Sequence, residues 1–246
     1  MREALEGRRL SRVQYLVDGK DVSLTDLTGR RVLSVESHGK NLLVHLEGGD
    51  SFRIHLLLHG RVRVGPEADP VDGTLRLALH AGGTRVAVVG APKIELVPTS
   101  ALERRKAGWG PDATRTDFDA ERFLENLAGQ GETPVGVALL DQTVVAGVGN
   151  MWKCEILHRA KIDPRTPCVQ LTDAERRQLG GLVPSFLQSV YERRRAGVRS
   201  TVNVYHRADR PCRVCGALVT SFRLGGRTTY ACPVCQPAWK EGMRRA

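Results

Sequence analysis

Three observations predict an α+β chain: repeated short strand patterns in the N-terminal part, helical periodicity after them, and a small C-terminal segment built around two C-x-x-C pairs. The strand patterns lie between about Leu10 and Val97: RRVLSVESHG, KNLLVHLEGG, SFRIHLLLHG, RVRVG, TLRLALHAGG and TRVAVVGAP. Each is apolar or alternates apolar with polar residues, and each ends near Gly, Asp or Pro. Strands recurring about every ten residues predict an antiparallel β-sandwich or barrel, here over 1–98. The next stretch, 99–116 (TSALERRKAGWGPDATRT), is polar, is interrupted by Gly and Pro, and reads as a linker.

From Asp117 the period changes to that of a helix. Asp117 reads as a cap ahead of Phe118, Phe123, Leu124 and Leu127, and shorter helical patterns follow in PVGVALLD and NMWKCEILHRA. Thr172-Asp-Ala-Glu forms a capping box before a longer helix. That helix carries Leu179, Leu182, Val183, Phe186, Leu187 and Val190 at helical spacing, and Pro184 within it predicts a kink. The helical region is set at 117–200, and 201–246 reads as a β-rich module around the cysteines. No internal repeat interrupts this order.

The 246 residues include 37 Lys plus Arg against 27 Asp plus Glu, for a net charge of +10. Such an excess suits a polyanionic partner, because each phosphate that a basic side chain neutralises releases a condensed counterion. No segment approaches the ~18 consecutive apolar residues of a spanning helix. The opening MREALEGRRL lacks the apolar core of a secretion signal. The expectation is a cytoplasmic monomer with no membrane partner.

Of six cysteines, four form Cys212-x-x-Cys215 and Cys232-x-x-Cys235, separated by the 16 residues Gly216 to Ala231. This is the spacing of a four-cysteine zinc ribbon. Two intervening residues let one tight turn aim both sulfurs at one ion, and two such turns complete a tetrahedron. The ion is expected to be a single structural Zn2+, since four protein sulfurs leave no open position for chemistry. Between the pairs, LVTSF and TTYA read as hairpin strands about Leu224-Gly225-Gly226. Cys154 and Cys168 fit no metal spacing and read as buried thiols.

The segment LLDQTVVAGVGNMWKCEILHRAKIDP reads as helix, glycine turn, helix, with Gly147 and Gly149 flanking Val148. Glycines permit close approach of a ligand to the backbone, and the amides opening the second helix suit a phosphate, with Asn150 placed to hold one of its oxygens. An ordinary tight helix connection has the same pattern.

This segment resembles the helix–two-turn–helix signature of the formamidopyrimidine-DNA glycosylase and endonuclease VIII family. VYHRADRPCRVCGALVTSFRLGGRTTYACPVCQ resembles that family's zinc finger. HGKNLLVHL with HLLLHGRVRV is similar to its β-sandwich, and GWGPDATRTDFD to its linker. The resemblance implies base excision repair by a DNA glycosylase and AP lyase, a nucleoid-associated enzyme that flips oxidised bases out of duplex DNA and also cleaves abasic sites. It implies phosphate contacts from Asn150 and Gly149, proton transfer in β-elimination from Lys40, and a grip on the phosphates around the flipped nucleotide, with δ-elimination, from Arg227. It places a wedge residue at Leu58 and gives Glu155 a structural role. A second DNA-binding lysine of the family falls at Gly136 here.

The family's enzymes begin Met-Pro-Glu, and the proline amine attacks the sugar to form an iminium. This sequence begins Met1-Arg2-Glu3, and ALEGRRLSRV matches the end of the family's first helix and the approach to its first strand. The expectation is therefore that the family's first helix is missing ahead of it. A start further upstream carrying Met-Pro-Glu predicts an active glycosylase and lyase. Otherwise the chain reads as a catalytically inactive homologue that binds damaged DNA. A zinc-ribbon transcription or translation factor is the third class, and it would make the sandwich matches accidental.

Overall fold

Alternating strands build the first of two units, Met1–Gly108, and helices with a cysteine hairpin build the second, Trp109–Ala246. The computed structural model describes residues 1–17, 20–22, 24–57, 60–70 and 74–239. In the first unit a single helical turn, α1 (Arg2–Leu5), precedes β1 (Arg12–Val17), so ALEGRRLSRV does run from helix into strand. Then come β2 (Lys20–Val22), β3 (Val32–His38), β4 (Asn41–Leu46), β5 (Asp50–His55), β6 (Arg61–Pro66), β7 (Leu75–Ala81), β8 (Thr84–Val89) and β9 (Lys93–Pro98).

These strands form two sheets whose pairings are all antiparallel, in the orders β2-β1-β7-β8-β6 and β3-β4-β5-β9. Val44, Leu46, Phe52 and Ile54 of the second sheet share one buried core with Leu77, Leu79, Val86 and Val88 of the first. Leu5 and Leu10 complete that core, with Met1 and Ala4 packed against it. Burial of a side chain of this size stabilises by about 1.5–3 kcal/mol, so the sandwich stands on apolar packing.

The stretch read as a linker contains a helix, α2 (Thr99–Ala107). It has no apolar stripe to reveal it, because Leu102 is its one buried residue. Arg104, Arg105 and Lys106 crowd its last turn, where cations suit the helix dipole. Lys106 Nζ also lies 2.6 Å from Glu36 Oε1 on β3. The break between units follows at Gly108.

In the second unit, α3 (Ala120–Ala128) is capped by Asp119 rather than Asp117, its side chain accepting from Arg122 N at 2.9 Å. Asp117 instead pairs with Arg115. The single turn α4 (Val135–Ala138), α5 (Asn150–Ala160) and α6 (Asp173–Arg195) follow. Thr172 and Glu175 form the expected capping box, and α6 continues as one helix through Pro184, whose ring leaves the Gly180 carbonyl without its helical donor. Phe123, Leu127, Val135, Leu139, Ile156, Leu157, Leu179, Val183 and Leu187 form the core of these helices. The hairpin of β10 (Thr220–Leu224) and β11 (Arg227–Ala231) completes the unit. Among the described residues no helix is long and apolar enough to cross a membrane.

Candidate phosphate site and metal centre

The turn ahead of α5 is held by its own sequence. Gly147 has φ +98°, a conformation that disfavours any side chain, whereas Gly149 is extended and caps the helix without a side chain. Gln142 braces the bend: its Oε1 accepts from Gly147 N at 3.1 Å, and its Nε2 donates to the carbonyls of Leu140 and Val148. Val148 between the glycines is fully buried. The first amides of α5 lack intrahelical partners, as at any helix start.

Asn150 is the first residue of α5, and the structure ties it to the finger hairpin. Its Nδ2 donates to Thr228 O at 2.8 Å, and its Oδ1 accepts from Lys153 Nζ at 2.9 Å. Lys153 Nζ also donates to Thr229 Oγ1 at 2.7 Å. Lys153 is completely buried, and burial pushes its ammonium below the usual lysine range, with nearby Arg227 pushing the same way. Arg227 is exposed at the start of β11, beside the Gly225-Gly226 turn. Asn150 and Arg227 thus belong to one assembly within the second unit, joined by two residues that sequence reasoning passed over, Lys153 and Thr229. The i,i+3 spacing of Asn150 and Lys153 signals that they share a helix face. Thr229 has no such signal, because only the folded hairpin brings it to α5.

Further along, α5 reaches the metal centre. Cys154 is buried, accepts from Tyr230 N at 3.5 Å, and has a thiol pushed up by burial. Glu155 is buried and accepts from three backbone amides, Asn203 N at 2.8 Å and Val204 N and Tyr205 N at 2.9 Å. It clips the start of the finger onto the helix and is structural. His158 places Nε2 3.3 Å from Cys212 Sγ, while its Nδ1 is buried without a hydrogen-bond partner. That arrangement suits a neutral ring donating Nε2–H to a thiolate, and burial holds the ring's basicity down.

The sulfurs of Cys212, Cys215, Cys232 and Cys235 all lie within 4.8 Å of one another. Two of the separations are 4.0 Å, between Cys212 and Cys235, and 3.4 Å, between Cys215 and Cys232. Thiolates on a zinc ion at about 2.3 Å stand about 3.8 Å apart, so the cluster fits one tetrahedral zinc. Zinc there has a structural role, closing the module around a metal with no open position. The Ala217 amide and the neighbouring sulfurs draw the Cys215 thiol down to about 7, toward the thiolate a metal needs. Cys168 lies buried among the helices, and burial pushes its thiol up to about 11.

In the first unit, Gly39 and Lys40 form the two-residue turn between β3 and β4, closed by the His38–Asn41 pair. Lys40 is exposed there, and with Arg53 and Lys93 it adds to the burial that lowers the basicity of His55. Leu58 lies outside the described residues. Gly136 is buried in the second unit, and a Cβ on it would meet Pro164 O at 2.9 Å and Leu224 Cδ2 at 3.0 Å. No lysine fits at that position in this backbone.

Three family models match in chain order: the formamidopyrimidine-DNA glycosylase N-terminal domain over residues 1–93, its H2TH domain over 109–202, and the zinc finger found in FPG and IleRS over 210–238. A probable endonuclease 8 2 of Streptomyces coelicolor is 33% identical over 258 residues, covering 99% of this chain and 93% of the relative. The chain belongs to the formamidopyrimidine-DNA glycosylase family. A formamidopyrimidine-DNA glycosylase of Cereibacter sphaeroides is 35% identical over 242 residues, with 85% of this chain and 84% of the relative covered. The Lactococcus lactis member of the family, solved in complex with DNA containing an abasic site, shares the fold at a TM-score of 0.80 and 24% identity, over 96% of this chain and 95% of that one. The fold of this family member is therefore α+β, with N-terminal antiparallel sheets, a helix–two-turn–helix region and a four-cysteine finger.

Proposed function

We propose that this chain recognises oxidised bases and abasic sites in duplex DNA for base excision repair, on chromosomal DNA in the nucleoid. One observation carries the reading: the Asn150 amide at the head of α5 is bonded to the finger strand that begins with Arg227. A helix start, a side-chain amide and an exposed guanidinium together suit the backbone phosphates around an extruded nucleotide. Extrusion costs a few kcal/mol of stacking, least at an abasic or damaged site, and phosphate contacts offset that cost. Gly149 contributes backbone to the same site. On the sandwich unit Lys40 supplies a further phosphate contact and moves the proton in β-elimination, and Leu58 is the wedge. The names of the relatives and the net charge of +10 support the same assignment.

Excision and strand cleavage require an amine that forms an iminium with the sugar, the role the family gives to an N-terminal proline. The first proline written here is Pro66, so that nucleophile is not among residues 1–65. Borohydride reduction in the presence of abasic duplex separates the outcomes. A covalent adduct with the abasic duplex assigns lyase chemistry to the protein, an adduct with a duplex carrying an oxidised base adds base excision, and a gel shift without an adduct assigns recognition alone. Equal affinity for intact and abasic duplexes would refute all three. Arg227→Ala is expected to weaken binding and to reduce the salt slope of log K by about one; an unaltered slope would remove Arg227 from the phosphate contacts.

A further inference from the structure

A buried lysine ordinarily faces a carboxylate. Lys153 faces the amide oxygen of Asn150 and the hydroxyl of Thr229, both neutral, and the charged group bearing on it from the hairpin is Arg227, of like sign. The nearest acid along the helix, Glu155, is engaged by three backbone amides. A buried cation with a second positive charge bearing on it raises the energy of the protein alone, and that energy falls when an anion arrives.

The contacts of Asn150 also settle which way its amide points. An ammonium only donates and a carbonyl only accepts, so Oδ1 must face Lys153 and Nδ2 must face Thr228 O. One Nδ2 hydrogen is spent on Thr228 O, and the second remains for an oxygen outside the protein. Without Lys153, the amide oxygen loses the partner that fixes this orientation.

We propose that Lys153 is a positioning residue for phosphate binding: its buried ammonium fixes the Asn150 amide with an N–H outward, and its charge, which pairs with no acid among the described residues, is matched by a DNA phosphate. The inference rests on the assignment of Asn150 and Arg227 to phosphates. It predicts opposite signs for stability and binding. Removing a buried cation that lacks a counter-ion relieves the isolated protein while weakening its grip on DNA, the exchange expected where a functional site stores unfavourable charge.

The test is a double-mutant cycle on the full chain, with a duplex carrying an abasic-site analogue as probe. Lys153→Met is expected to bind about tenfold more weakly, with a thermal midpoint equal to or above that of the parent. Asn150→Ala is expected to weaken binding as well. In the double variant the Lys153→Met step should weaken binding by a smaller factor than it does in the parent, because its hold on Asn150 is already gone and only its charge is left to lose. Should Lys153→Met fail to fold, Lys153→Gln carries the same cycle with an uncharged head. Unchanged affinity, or losses that simply multiply in the double variant, would overturn the role. Failure of the parent protein to prefer the abasic duplex would instead refute the recognition reading, so the two failures remain distinct.

Discussion

The sandwich and the cysteine module reach a fixed shape by different means. Leu5, Leu10, Val44, Phe52, Ile54, Leu77, Leu79, Val86 and Val88 give the sandwich an apolar core of its own. The module has Val204 and Val219 as its buried aliphatics, beside Cys154, Cys212 and Cys232. Its order comes from metal ligation and from polar ties to α5 and the segment just after it: Glu155 to three amides, Lys153 to Thr229, and Gln236 Nε2 to Ile162 O. A sheet that packs on itself tolerates loss of a contact by repacking. A module held mainly by metal ligation has little packing to fall back on when the metal is withdrawn.

Removing the metal tests this contrast hardest. Ligation of structural zinc is worth about 10–16 kcal/mol in finger peptides. Cys232→Ser, or treatment with a strong chelator, should abolish ordered structure in the module and affinity for abasic duplex, while the sandwich retains its β-sheet circular dichroism. Loss of the sheet signal together with zinc would erase the distinction. Phe52→Ala is the converse. A cavity at a fully buried phenylalanine costs about 3–5 kcal/mol, to be read from urea unfolding. Zinc content measured on the folded variant should stay at one per chain, and a fall would show that the sandwich supports the metal site. Glu155→Gln is expected to have the smallest effect, about 2 kcal/mol, because it weakens charge-assisted bonds to three amides without opening a cavity. Its effect should appear as faster zinc release to a chelator, with the sandwich transition unmoved.

Sequence patterning revealed most of this fold, because strands, caps and cysteine spacing are local. The Gly-ended runs of the sandwich became strands, Thr172 and Glu175 formed their box, and the four paired cysteines gathered. Helix α2 escaped because one buried leucine leaves no period to detect. Asp117 stood in for Asp119 because two similar residues lie two positions apart, and only the bond to Arg122 N distinguishes them. At the candidate site, Asn150 was marked by a glycine turn, and Arg227 by the resemblance to the family's zinc finger. Lys153 was hidden because in sequence it is an ordinary helical lysine, and its burial depends on where β11 lies. The occlusion of Gly136 is equally non-local, since Pro164 and Leu224 close it from distant parts of the chain.

Helix α5 sets the spacing between its two attachments. From Asn150, bonded to Thr228, to His158, beside Cys212, eight residues at 1.5 Å each span about 12 Å and little more than two turns. Deleting one residue between them would shorten that span only slightly but would swing the downstream side chains by about 100°. A deletion ahead of Glu155 would bring Glu155 to the position of Cys154 and His158 to that of Leu157, in the helical core, so both would lose their present partners while Asn150 kept Thr228. This stretch of helix can therefore exchange side chains far more readily than it can change length.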